Sequence, residues 1–318
     1  MMMTSNESTN EKAVAHFILL GFQSSPAIRS CLLLFFIVAY IFIILQNVAV
    51  IVIVQWDSKL HTPMYFFLTK LACLESLYVS VTIPKILDGL VTSNNTISVG
   101  GCLLQLYFFL SLACTECFLL AAMAFDRYLA ICTPLRYHSI MTNKMCWSLT
   151  WASLFLGFLS CSFSVGLISK LNFCGPNVIN HYVCDISPVI NLSCEDISAV
   201  ELVDFITALI VLLSSSVPIT VSYISIISTV RKIPSGRGWK KAFSTCASHL
   251  AVVIIFFGTT IFMYARPMAI QSFNVNKFLS VLYSVIIPVI NPMIYTLRNN
   301  DIKRSMKNIF GTSLLLTK

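Results

Sequence analysis

Met123-Ala124-Phe125-Asp126-Arg127-Tyr128-Leu129-Ala130-Ile131-Cys132 closes an apolar run on an Asp-Arg pair. Ionisable side chains at a membrane boundary are costly to place and are kept for function. The pair therefore raises the question of whether lipid is the solvent of this chain. Of the 318 residues 57% are hydrophobic and 11% charged, against about 25% charged in a soluble domain. Such a chain cannot cover a water-facing surface. Spanning a bilayer takes roughly 20 apolar residues, and runs of that order occupy 31–54, 63–83, 102–125, 147–168, 203–227, 243–264 and 278–297. Their lengths fit helices and not the short alternating strands of a membrane barrel. The expectation is an all-α membrane protein: a seven-helix bundle over 31–298, preceded by an outer terminus at 1–30 and followed by a tail at 299–318.

Loop charges orient the bundle. With run ends assigned alternately, one side holds fourteen cations, including Arg127, Arg136, Arg231, Lys241 and Arg304, against Asp57, Asp126 and Asp301. An excess of Lys and Arg marks the cytoplasmic side. The other side holds six cations and eight acids, among them Asp185, Glu195 and Asp204. The net charge of +8 is thus a topology signal, and no nucleic-acid partner is needed to explain it. The polar start, lacking a cleavable apolar core, leaves 31–54 as a retained signal-anchor. The amino terminus is then extracellular, and the multi-pass chain belongs in the plasma membrane. Glycosylation sequons at Asn6, Asn94 and Asn191 all fall on the outer side, Asn6 in the free terminus being the best placed.

Twelve cysteines divide in two. Eight lie in or beside apolar runs, where a thiol is a small apolar filler. Cys102, Cys174, Cys184 and Cys194 face the oxidising side, where pairing is expected. No pair has the two-to-four-residue spacing of a structural zinc site, and four cysteines allow three connectivities.

Five stretches carry a family resemblance over nearly the whole chain. They are the opening motif; Leu60-His61-Thr62-Pro63-Met64-Tyr65-Phe66-Phe67-Leu68; Ser222-Tyr223; Lys241-Ala242-Phe243-Ser244-Thr245-Cys246-Ala247-Ser248-His249-Leu250; and Pro288-Val289-Ile290-Asn291-Pro292-Met293-Ile294-Tyr295. Together they resemble the olfactory receptors, a branch of the rhodopsin-like G-protein-coupled receptors. Gln46, Glu75 and Phe257 depart from the usual pattern, which carries Gly, Asp and Tyr there. The resemblance implies disulfides Cys102–Cys184 and Cys174–Cys194. It implies activation and G-protein coupling through Asp126, Arg127, Tyr223, Asn291, Pro292 and Tyr295. Arg127 needs a partner while the bundle is closed, and Asp126 is adjacent; motion of the sixth helix then frees the guanidinium for a partner protein. Pro292 loosens its helix, with Asn291 and Tyr295 offering polar groups to restore the bonding.

Glu75 and Glu116 are the only acids deep in the apolar runs, and two carboxylates cannot both be buried ionised without a cation or a shared proton. By resemblance the pair is implicated in a sodium site with Asn47 or Asn291 nearby. Protonated carboxyls bonded to neighbouring helices are the alternative. Lys70 is expected to snorkel rather than serve as their counter-ion.

The resemblance also implies a ligand pocket built from Leu106, Phe109, Leu110, Ala113 and Cys114, with Thr207 and Ala208, then Phe257, Thr260, Ile261 and Tyr264, then Val281 and Ser284. Most are apolar, which suits a small odorant of low polarity held by shape and one or two hydrogen bonds. Phe109 stands where amine-binding relatives carry an acid, so a charged amine has no anchor. At the inner face, the short basic stretch 231–241 holds no folded domain. After Arg298, Ile302, Met306, Ile309 and Phe310 recur at helical spacing opposite Lys303, Arg304 and Lys307, describing an amphipathic eighth helix on the lipid surface. No catalytic constellation is present, and no similar halves suggest a transporter. The expected activity is odorant reception through a stimulatory, olfactory-type G protein that raises cyclic AMP, with no required cofactor. A receptor of the same superfamily for a lipid or peptide is the alternative.

Overall fold

A computed structural model describes residues 14–22, 25–174, 176–232, 247, 249–260, 277, 280–298 and 301–308, without the side chains of 295–298. Asn6, residues 233–246, Ile261, Tyr264, Ile309, Phe310 and the Tyr295 side chain lie outside that set.

Among the described residues, five helices are long and apolar enough to span: α1 (Pro26–Trp56), α2 (Pro63–Thr92), α3 (Val99–Cys132), α5 (Asn143–Ile168) and α7 (Ser198–Arg231). Short helices α4 (Pro134–Ile140) and α6 (Ile186–Ile190) lie between them. Two shorter apolar helices, α8 (His249–Thr260) and α9 (Ile287–Arg298), fall in the sixth and seventh apolar runs, and 301–308 forms α10. The starts are written locally. Proline occupies the first turn of α1, α2 and α4, where its missing N–H is not needed. Ser98 and Thr142 cap α3 and α5 by accepting from Gly101 and Met145. α1 begins at Pro26, before its apolar run does, because the fixed φ of proline is preorganised for a first helical turn.

α3 sits at the centre and packs on α2, α5 and α7. α5 approaches α3 closely at Gly157. A Cβ there would lie 2.7 Å from the Thr115 amide nitrogen and 2.9 Å from the Ser111 carbonyl. Small residues let membrane helices meet backbone to backbone. The apolar side chains turned outward, such as Phe155, Phe163, Ile210 and Val221, would be a liability in water and are what lipid requires. In α10, Ile302 is fully buried while Lys303, Arg304 and Lys307 are exposed.

One element is absent from the sequence expectations. β1 (His16–Leu19) pairs antiparallel with β2 (Thr96–Ser98) and parallel with β3 (Val178–Ile179). The residues before α1 are therefore stitched to the loop after α2 and to the long loop after α5. Phe17 anchors the sheet, fully buried and edge-on to Phe173. Cys102 is bonded to Cys184 and Cys174 to Cys194, with Cα separations of 5.5 and 5.8 Å. Gln105, one turn beyond Cys102, accepts from the Cys184 amide at 3.1 Å and donates to Val81 at 3.0 Å. The long loop is thus pinned to α3 twice.

Candidate functional site

Three groups of side chains lie along the bundle. At the end where α3 finishes, Asp126 is almost fully buried and accepts from both Nε and Nη2 of Arg127. It also accepts from the Tyr137 hydroxyl of α4, at 2.8 Å. One carboxylate therefore holds the arginine and the short helix after it. Sequence reasoning passed over Tyr137; its only signal is an aromatic hydroxyl a few residues beyond the motif. Leu135, beside it, is 99% exposed, so α4 presents an apolar side chain outward. Across the bundle, Tyr223 of α7 bonds Nδ1 of the buried His249 on α8 at 2.5 Å, and the rings stack.

Halfway along, Asn291 of α9 donates to Glu75 at 2.8 Å and Glu116 at 3.2 Å. The same amide thus reaches α2 and α3, and Asn47 of α1, with no exposure, completes the ring of buried polar residues. The Asn47 amide hydrogen-bonds Glu75, while its Oδ1 and the Oδ1 of Asn291 have no hydrogen-bond partner among the described residues. The Asn291 side chain thus serves the two carboxyl groups. Unsatisfied amide oxygens beside two carboxyls are oxygen donors of the kind a hard cation takes. Lys70 does not reach the pair; its ammonium lies 4.9 Å from the Phe66 ring centroid and 4.4 Å from that of Trp147. It is held by aromatic faces.

Towards the disulfide-bearing end, Leu106, Phe109 and Leu110 of α3 are buried, and Ala113 and Cys114 partly so. Phe109 stacks on Tyr78 with centroids 5.0 Å apart and tilts against Tyr283 at 5.8 Å. Cys114 meets Cys161 of α5, sulfur to sulfur, at 3.6 Å. Thr207 and Ala208 are partly exposed on α7. Phe257 is buried on α8, and the Thr260 hydroxyl folds back on the Phe256 carbonyl at 2.8 Å. Ser284 lies in a wide π-helical turn, Leu282–Ile286, where Ile287 donates five residues back to Leu282. Pro288 explains the turn, since it cannot donate to Ser284 and its ring would strike that carbonyl. Tyr182 of the long loop bonds the Ser284 hydroxyl at 3.0 Å, so Val281 and Ser284 lie under the loop. Tyr78 and Tyr283 were not foreseen, since nothing in their local sequence separates them from other lipid-helix aromatics, nor was Tyr182, a loop residue with no motif around it.

The model of the olfactory receptor family matches residues 36–313. Human olfactory receptor 6B1 is 50% identical over 303 residues, covering 95% of this chain and 97% of that protein. Mouse olfactory receptor 6B9 is 49% identical over 294 residues, covering 92% and 93%. Human olfactory receptor 6Y1 is 47% identical over 301 residues, covering 95% and 93%. With α3 at the centre of a lipid-facing bundle and these matches running nearly end to end, the chain belongs to the olfactory receptor family, and is a seven-helix, multi-pass membrane protein and not an enzyme.

Proposed function

We propose that the chain binds small, mostly apolar odorants between α3, α7, α8 and α9 and activates a stimulatory, olfactory-type G protein that raises cyclic AMP. The amino terminus and sheet are extracellular, and Arg127 faces the cytoplasm of a cell bounded by the plasma membrane. The observation that carries this reading is the Arg127–Asp126–Tyr137 cluster at the cation-rich end: a guanidinium held by one buried carboxylate is available to a partner once that contact opens. Leu135 on the same surface offers a contact that a protein partner can bury. The apolar lining around Phe109, with the hydroxyls of Thr207, Thr260 and Ser284, supports a ligand of low polarity. Cyclic AMP measured in cells given a broad odorant panel tests this, native against Arg127→Ala. The variant should reach the surface and lose the response; an unchanged response refutes the assigned role.

Glu75, Glu116, Asn47 and Asn291 would hold a sodium ion that favours the resting state, the unsatisfied amide oxygens being what supports an ion over a shared proton. The ion would supply positive charge between two carboxylates. A ligand shifts an equilibrium only by its differential affinity for the two states, so sodium should lower agonist potency. Glu116→Gln should abolish that dependence, with potassium as the ionic-strength control. Equal sodium sensitivity in both versions favours two protonated carboxyls.

A further inference from the structure

A cavity of about 230 Å³, lined by none of the residues assigned to the odorant, lies between the stretch after β1 and the facing ends of α1 and α2. It is smaller than the roughly 300–1,000 Å³ of drug-sized sites, so its occupant is compact. One wall is apolar, made by Leu19, Phe22, Ile86, Leu90 and Tyr182. That wall is fixed in advance: Phe22 stacks on Tyr182 with centroids 5.1 Å apart, and the Tyr182 hydroxyl is held by Ser284. The Asn95 side chain packs directly over Gly89, where a Cβ would collide with its Oδ1.

The rest of the lining includes two cations, Arg29 and Lys85. Arg29 donates Nε to the Leu90 carbonyl at 2.7 Å and Nη2 to the Val91 carbonyl at 3.4 Å. These bonds aim the guanidinium without neutralising it. Among the described residues Arg29 has no carboxylate partner, and Lys85 is neutralised by Asp88 at 2.7 Å. The cavity thus carries one uncompensated positive charge beside a rigid apolar face, and guanidinium is the donor whose fork matches an oxyanion.

We propose that this cavity is a second ligand site, which takes one small amphiphilic oxyanion, a short-chain free carboxylic acid in its ionised form, with the carboxylate on Arg29 and the alkyl chain against Phe22 and Tyr182. The same oxyanion chemistry is offered by an anionic lipid headgroup. A headgroup arrives tethered to two acyl chains that a cavity of this size does not hold, so the free acid is the better fit.

The test is photolabelling of the full-length receptor in phosphatidylcholine nanodiscs with a diazirine-bearing hexanoate, followed by peptide mapping. Labelling is expected on the segments around Leu19 to Phe22 and Ile86 to Asn95, saturable and competed by hexanoate at least tenfold better than by hexan-1-ol. Arg29→Gln should reduce it at least tenfold, and Arg29→Lys, which keeps the charge but loses the fork, should fall between that variant and the native receptor. Should Arg29→Gln fail to fold, Ile86→Phe fills the apolar wall without touching either cation and should give the same loss. Label confined to α3, α7 or α8, label that hexan-1-ol competes equally, or full labelling of Ile86→Phe overturns the proposal. Loss of label in discs containing phosphatidylserine, with no competition by hexanoate, assigns the site to lipid and overturns the free acid. The readout is binding at a mapped position, so it stands or falls independently of G-protein coupling.

Discussion

Replacing Gly157 by alanine tests the packing that sets the whole bundle. The added Cβ would sit 2.2 Å from the Thr115 hydroxyl, 2.7 Å from the Thr115 amide nitrogen and 2.9 Å from the Ser111 carbonyl oxygen. The hydroxyl can rotate away; the two backbone atoms of α3 cannot. Ordinary contact begins near 3.4 Å, so α5 must withdraw by about 0.7 Å at that point. Overpacking of this kind costs about 1–3 kcal/mol, and rigid backbone neighbours place it in the upper part, about 2–3 kcal/mol. Alanine also favours the helix over glycine by roughly 0.5–1 kcal/mol. Gly166→Ala on the same helix, where nothing lies within 4 Å of the new methyl, brings that gain without the clash. The difference between the two variants therefore isolates the steric cost. At about 2–4 °C per kcal/mol for a large domain, Gly157→Ala should melt some 4–12 °C below Gly166→Ala. A thiol-reactive dye reads this directly, because Cys117, Cys146 and Cys161 are buried until the bundle opens. Withdrawal of α5 should also widen the 3.6 Å contact between Cys114 and Cys161. Equal melting of the two alanine variants refutes the close approach of α3 and α5.

Two further outcomes follow from single contacts. Tyr137→Phe removes one donor from Asp126; hydrogen bonds to charged groups are worth about 1.5–3 kcal/mol, and the half-exposed phenol reduces this to about 1 kcal/mol. If the bond belongs to the resting state, ligand-free cyclic AMP should rise about fivefold at equal surface expression, and an unchanged or lower baseline refutes that assignment. In the long loop, burial lowers the pKa of His181 below its usual 6.5, partly opposed by the Asp185 carboxylate and reinforced by Lys277. A folded pKa below the unfolded one means that the unfolded chain binds the proton more tightly. The loop's stability is then whole above pH 6.5 and falls as pH drops below it. Melting temperature should decline from about pH 7.5 to about pH 5 in the native receptor and less in His181→Asn; parallel curves count against it.

How much of this was legible beforehand depends on the range of each interaction. Seven spans, the amphipathic tail and the charge asymmetry follow from composition and spacing, because bilayer thickness and loop charge act on each segment alone. The motif around Arg127 and its carboxylate neighbour are adjacent in the chain, so their pairing needs no fold. Depth could be counted too: Glu116 precedes Arg127 by eleven residues, about 16 Å of helix, which puts it mid-bundle. What spacing could not say is that one amide, Asn291, reaches Glu75 and Glu116 together, across separations of 216 and 175 residues.

The three-stranded sheet, the stack of Phe22 on Tyr182 and the bond from Tyr182 to Ser284 were equally invisible. Their strands are two to four residues long and carry no period of their own; they exist because the surrounding helices and the Cys102–Cys184 bond bring three loops to one place. Composition, run length and motif spacing were enough for the solvent, the number of spans and the family. Only the tertiary structure decided which polar groups share a site and where an unneutralised arginine meets an apolar wall. Those contacts join residues far apart in the chain, and their geometry is set by helix packing that no local pattern encodes.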